Sequence, residues 1–324
     1  MYVTFIVAAL GALCGPQMLP DTVVSLSLVK VIVADSGGMA MESIVDAAAA
    51  GDGSIYVLRA NQRVQQYRGG ELRREWGGKG TARGKFWFAQ GLAVNASNQV
   101  YVLDAGLNAV SVFDSSGTLL DRTIMPEHFT SFVDMAVAPD GSILLSAYGG
   151  PEKQGQIFVL CPEVECPVRA LGNVRATRDS LATRFFQGGF LALAGDSVFF
   201  AGLNPFRIEK YDLVSGERSP IASSDFLGDA EALAFRHLPD DQLKITNVFP
   251  QSTGIVRLLD GRLVYSAFFP ARAESEISIY MPDGRILLTK RLPTMLRVQD
   301  LLPNGDLLAV RVVDREELVE YRLQ

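Results

Sequence analysis

Apolar residues along this chain fall into short runs separated by tight polar turns, and one arrangement of runs and turns keeps returning. A short apolar strand, a turn built on Gly, Asp or Asn, and a second apolar strand read AGDGSIYVL at residues 50–58, APDGSILLS at 138–146 and AGDSVFFAG at 194–202. Two further copies read LDGRLVYSA at 259–267 and PNGDLLAVR at 303–311. The fullest copy, residues 91–124, continues beyond the first pair of strands: AVSVFD gives a third and TLLDRTI a fourth, with DSSG turning between them. Such corner residues tolerate positive φ or close the reversal with side-chain hydrogen bonds. With Gly53, Asn98, Gly141, Asp196, Gly261 and Gly305 as markers, the copies advance by 45, 43, 55, 65 and 44 residues. Four-stranded propeller blades repeat at roughly 40–50 residues, and the spacing leaves no room for βαβ crossovers.

The last copy ends one strand short, after LVEYRL at 318–323, while an unassigned strand, VVSLSLVKVIVA at 23–34, precedes the first copy. The pattern therefore predicts an all-β six-bladed β-propeller with four-stranded blades, the N-terminal strand completing the last blade so that no sheet edge stays open at the seam. Residues 21–324 would form this single domain. The two long steps mark insertions, one of them at about 223–250, where DAEALAFRHL has the composition of a short helix. A strand of a partial extra blade is the alternative for the N-terminal segment.

Residues 78–124 resemble an NHL repeat. The match is carried by Gly84-Lys85-Phe86, Gly91-Leu92-Ala93-Val94, Tyr101-Val102-Leu103-Asp104, Asn108 and Val112-Phe113-Asp114, while Gln90 and Asn95 depart from the usual wording. The chain is thereby similar to the bacterial six-bladed NHL-like propellers, many of them exported. The resemblance implies an architecture and leaves the chemistry open.

Composition narrows the partners. Apolar residues make up 48% and charged residues 20%, which suits a folded core and excludes a disordered chain. The net charge of −6, with no basic block, argues against nucleic acid. Residues 1–15 are apolar and uncharged, too short a run to span a bilayer as a helix but suited to a signal segment, so residues 1–20 read as a signal or anchor. Cys14 ends a lipobox-like Gly11-Ala12-Leu13-Cys14 and is a lipidation candidate, although Leu13 stands where a small residue is usual; a buried strand in a cytoplasmic protein is the competing reading. Cys161 and Cys166 frame a Pro-Glu-Val-Glu turn and could pair as a disulfide. That favours an oxidising, extracytoplasmic setting, periplasmic or secreted. The membrane would be met only through the N-terminal anchor, and a monomer is expected.

Candidate chemistry gathers where inner strands begin. Asp46, Gln90 and Asp134 precede their turn markers by seven or eight residues and should project toward the central opening, with Asn204 on a loop of the same face. These four are the ligand-binding candidates. Asp46 and Asp134 could hold Ca²⁺, which takes six to eight oxygens, or could instead accept loop amides and close the blade junctions. Trp76, Phe86, Trp87 and Phe88 read as blade-to-blade core, with a ligand platform as the alternative. His128 and His237 are the whole histidine complement, which leaves zinc-lyase and Ser-His-Asp chemistry without material. The expected function is a non-catalytic binding scaffold without a cofactor, presenting one loop face to a protein, peptide or glycan. The alternative is a Ca²⁺-dependent lactonase or esterase similar to the gluconolactonase and paraoxonase propellers, with a channel metal polarising a carbonyl.

Overall fold

The computed structural model describes residues 25–34, 43–125, 132–147, 155–161, 168–172, 188–202, 207–223, 235–237, 243–245, 251–269, 273–313 and 316–323. The first strand, β1 (Leu26–Ala34), belongs to the last sheet. Blade 1 comprises β2 (Ile44–Ala49), β3 (Ser54–Arg59), β4 (Arg63–Arg68) and β5 (Glu71–Gly77). Blade 2 comprises β6 (Ala89–Val94), β7 (Val100–Asp104), β8 (Ala109–Phe113) and β9 (Leu119–Ile124). Blade 3 follows with β10 (Phe132–Val137), β11 (Ile143–Ala147), β12 (Ile157–Leu160) and β13 (Arg169–Leu171). Blade 4 is β14 (Gly189–Ala194), β15 (Ser197–Gly202), β16 (Arg207–Asp212) and β17 (Arg218–Ser223). A hairpin of β18 (Phe235–His237) and β19 (Leu243–Ile245) stands between blades 4 and 5. Blade 5 is β20 (Gln251–Arg257), β21 (Leu263–Phe269), β22 (Glu274–Tyr280) and β23 (Ile286–Leu292). Blade 6 combines β24 (Met295–Leu301), β25 (Leu307–Val312) and β26 (Glu316–Leu323) with β1.

The six sheets form a six-bladed β-propeller, each blade a four-stranded antiparallel meander. The ring closes as the strand count requires: β1 runs antiparallel to β26, with Leu26 opposite Leu323 and Ala34 opposite Glu317. The closure joins the two ends of the described chain through a full ladder.

The repeated turn explains why the marker positions recur. Gly53, Gly141, Gly261 and Gly305 all sit at φ between 83 and 90°, and Asn98 takes the same left-handed region at 59°. Each donates its amide to the residue three earlier, as in Gly53 to Ala50 and Gly305 to Leu302. Only residues that accept positive φ can hold this corner.

The core lies between neighbouring sheets rather than inside any one of them. Tyr56, Leu58 and Val64 of blade 1 pack on Leu92, Val102 and Phe113 of blade 2, and Val256, Val264 and Ile279 of blade 5 on Val298, Leu307 and Val319 of blade 6. Full burial of each such side chain contributes about 1.5–3 kcal/mol. In blades 1 and 2 the second strand is buried along its whole length while the fourth is largely exposed.

The helix expected within DAEALAFRHL is corrected where the structure describes it. Phe235–His237 is a strand paired with Leu243–Ile245. In the sequence Pro239 follows two residues after His237, and a proline disfavours continuation of a helix.

Candidate functional site

The inner strands β2, β6, β10, β14, β20 and β24 surround a central cavity of about 380 Å³. Asp46, Gln90 and Asp134 line it, together with Arg297, Gln299 and Asp300. Asn204, Cys14, Cys166 and His128 lie outside the described residues. Cys161 is disulfide-bonded.

A local irregularity of the strands places the acids. The ladder of β2 with β3 skips Val45, between Ile44 and Asp46, and that of β10 with β11 skips Val133, between Phe132 and Asp134. Such a bulge twists the strand and re-aims the next side chain. The aspartate that follows each bulge then grips two backbone amides. Asp46 Oδ1 accepts the amide of Ala47 at 2.9 Å, and its Oδ2 accepts that of Leu92, in blade 2, at 2.8 Å. Asp134 repeats the device with Met135 at 2.8 Å and with Leu191, in blade 4, at 2.7 Å.

Blade 6 carries a third copy that the spacing rule does not find. Its bulge lies two residues further along, at Gln299, and Asp300 binds the amides of Leu301 at 2.7 Å and of Ala49, in blade 1, at 2.8 Å. Asp300 stands five residues before Gly305 instead of seven. Since residues i and i+2 of a strand share a face, a search of both inward registers would have found it. Gln299 joins the same junction by accepting the Ala47 amide at 2.9 Å.

The charges at the neck are costly and partly neutralised. The three carboxyls line the cavity and are buried by the surrounding protein. Burial raises Asp46 to about 6, opposed by the Arg297 charge. Asp134 rises to about 8, through burial and then the negative charge of Asp46. Burial takes Asp300 to about 6. Arg297 donates from Nη2 to the Ile44 carbonyl at 3.1 Å, while its Nε and the Oε1 of Gln90 are buried without hydrogen-bond partners.

The four aromatic residues grouped by sequence separate in space. Trp76 and Phe86 do belong to the core, Phe86 meeting Phe113 at 5.7 Å between centroids and Trp76 meeting Tyr56 at 5.9 Å. Trp87 and Phe88 are corrected: they are 51% and 54% exposed. Their amides donate to the buried carboxylate of Asp104 at 2.7 and 3.0 Å, which fixes the backbone and leaves both rings outside.

With this geometry in place, comparison with known proteins adds the fold and nothing finer. No family model matches the chain, and no curated protein resembles it in sequence. Solved structures do match across most of its length. A protein of Bacteroides fragilis assigned as exported shares 13% identity at a TM-score of 0.60, covering 95% of this chain and 97% of its own. A gluconolactonase of Xanthomonas campestris shares 14% at 0.55, covering 86% and 85%. A chain of the nidogen–laminin complex shares 11% at 0.52, covering 77% and 80%. The class of protein is thus a six-bladed β-propeller, a fold shared here by a hydrolase and by a member of a binding complex.

Proposed function

We propose that this chain is a non-catalytic binding propeller, with its ligand surface on the face where the inner strands begin. The observation that supports this reading most directly is the occupation of the central carboxylates. Both oxygens of Asp46, Asp134 and Asp300 already accept backbone amides, five of those six oxygens at distances of 2.7 or 2.8 Å. Acids used in this way tie one blade to the next.

The calcium-dependent hydrolase reading fits the same residues poorly. A Ca²⁺ site needs six to eight ligating oxygens drawn from ionised or neutral donors free to turn toward the ion. Here Arg297 places a cation in the same cavity, and Asp134 holds its proton to about pH 8. Among the described residues, no group of three or more His, Cys, Asp or Glu side chains is arranged to hold a metal. The NHL-like wording of blade 2 is read as architecture.

The setting we propose is extracytoplasmic. The apolar segment at residues 1–15, the disulfide at Cys161 and the likeness to an exported protein of Bacteroides fragilis support it.

Thermal unfolding with calcium or with a chelator tests the function directly. Unchanged melting temperatures in both conditions, for the wild type and for Asp134→Ala alike, are expected. A calcium-dependent rise in the wild type that disappears in Asp134→Ala, accompanied by gluconolactone hydrolysis, would replace the binding reading with the enzymatic one.

A further inference from the structure

The segment between β5 and β6, GGKGTARGKFWF at residues 77–88, differs in character from the rest of the surface. It carries Lys79, Arg83 and Lys85 and no acid, on a chain whose net charge is −6. All three cations are exposed, and among the described residues none forms a salt bridge with a carboxylate. Beside them stand the rings of Trp87 and Phe88, with the Lys79 ammonium 5.3 Å from the centre of the Trp87 ring.

The backbone beneath this patch is held firmly. Phe86 is fully buried under it, the amides of Gly80 and Phe86 donate to the carbonyls of Phe86 and Gly78, and Arg122 donates to the Lys85 carbonyl at 2.9 Å. Asp104 holds the two amides of Trp87 and Phe88, and Ala105 donates to the Phe88 carbonyl at 3.0 Å. Gly106 lies so close that a methyl group there would strike Trp87 and Phe88. The rings are therefore presented at little cost in chain ordering, the economy by which a rigid aromatic surface gains affinity. One residue, Ala89, separates Phe88 from Gln90, which lines the central cavity.

We infer that this patch is a binding platform for an acidic oligosaccharide, a chain of uronic acid residues. Such a sugar offers an apolar C–H face to the indole and phenyl rings and a carboxylate to the adjacent ammonium. A neutral glycan would leave the three cations without a carboxylate to meet, and an acidic peptide would leave the two rings without a role. The inference rests on the binding reading above and names its ligand.

Titration of the full chain with oligogalacturonate, followed by intrinsic tryptophan fluorescence and calorimetry, tests it. Trp76 is half-buried in the core, so the ligand-dependent fluorescence change should belong to Trp87. Binding is expected to weaken with salt. It should fall on the order of tenfold in Trp87→Ala and severalfold in Lys79→Gln, the scale of one stacking or cation–π contact. Both side chains are exposed, and unchanged melting temperatures will confirm that the variants fold. Absence of oligogalacturonate binding, or equal binding of a neutral oligosaccharide or of polyglutamate, overturns the inference. Binding indifferent to Trp87→Ala also overturns it, by moving the site elsewhere, yet leaves the binding reading intact. Only the calcium experiment above can remove that reading.

Discussion

The junction between blades 1 and 2 and the junction between blades 5 and 6 meet the same geometric demand in opposite ways. At the first, Asp46 follows a bulge and reaches across to the amide of Leu92. At the second, the equivalent residue is Gly254, again after a bulge, and the Val298 carbonyl of blade 6 occupies the space where a side chain would begin. Where the neighbouring blade turns an amide toward the neck, a carboxylate is required; where it turns a carbonyl, any Cβ is excluded. A buried backbone group without a partner costs on the order of 1–3 kcal/mol, so the direction of one peptide decides which residue stands at each of these two junctions.

That contrast can be broken most severely at Gly254. Gly254→Ala should destabilise the protein by about 3 kcal/mol, since backbone and not a flexible side chain must move aside; urea unfolding will measure it. Asp134→Ala should cost about 2 kcal/mol at pH 5, because the amides of Met135 and Leu191 both lose an acceptor. The deficit should shrink as pH rises toward 9. The sign follows from linkage: in the folded chain Asp134 keeps its proton to about pH 8, against roughly 3.9 for an unfolded aspartate. The native state therefore binds the extra proton between those values, and wild-type stability falls as pH rises through the window. Asp46 and Asp300, both near 6, add to the fall over its lower part. Urea unfolding of both proteins at pH 5, 7 and 9 will show whether the two curves converge. The smallest effect belongs to Gly91, the blade 2 equivalent of Asp46. A methyl group there would meet the Leu103 side chain at 3.4 Å and Met135 at 3.8 Å, ordinary contacts, so Gly91→Ala should change stability by less than about 1 kcal/mol. A loss at Gly91 as large as at Gly254 would show that glycine serves something other than close approach in these strands.

Much of this neck was legible in the residues themselves. Counting seven back from Gly53 and Gly141 leads to Asp46 and Asp134, because every blade repeats one turn and one strand length. Asp300 escaped that count because a bulge displaced by two residues shifts the register in blade 6. Arg297 and Gln299 gave no signal, since inward-facing polar residues in one strand acquire meaning only when five other strands surround them. Trp87 and Phe88 looked like core for a related reason: composition marks them as apolar, whereas their exposure follows from the grip of Asp104, far along the chain, on their amides.

The sequence by itself determined the number of blades, the order of their strands and the source of the strand that closes the ring, because these depend on local periodicity and on turns that only certain residues can make. The tertiary structure alone decided what the central acids do and which aromatic residues face solvent. The first depends on the direction of single peptide groups in neighbouring blades, which is set by how six twisted sheets meet around one axis. The second depends on the hold that a buried Asp104 takes on two amides of its own blade.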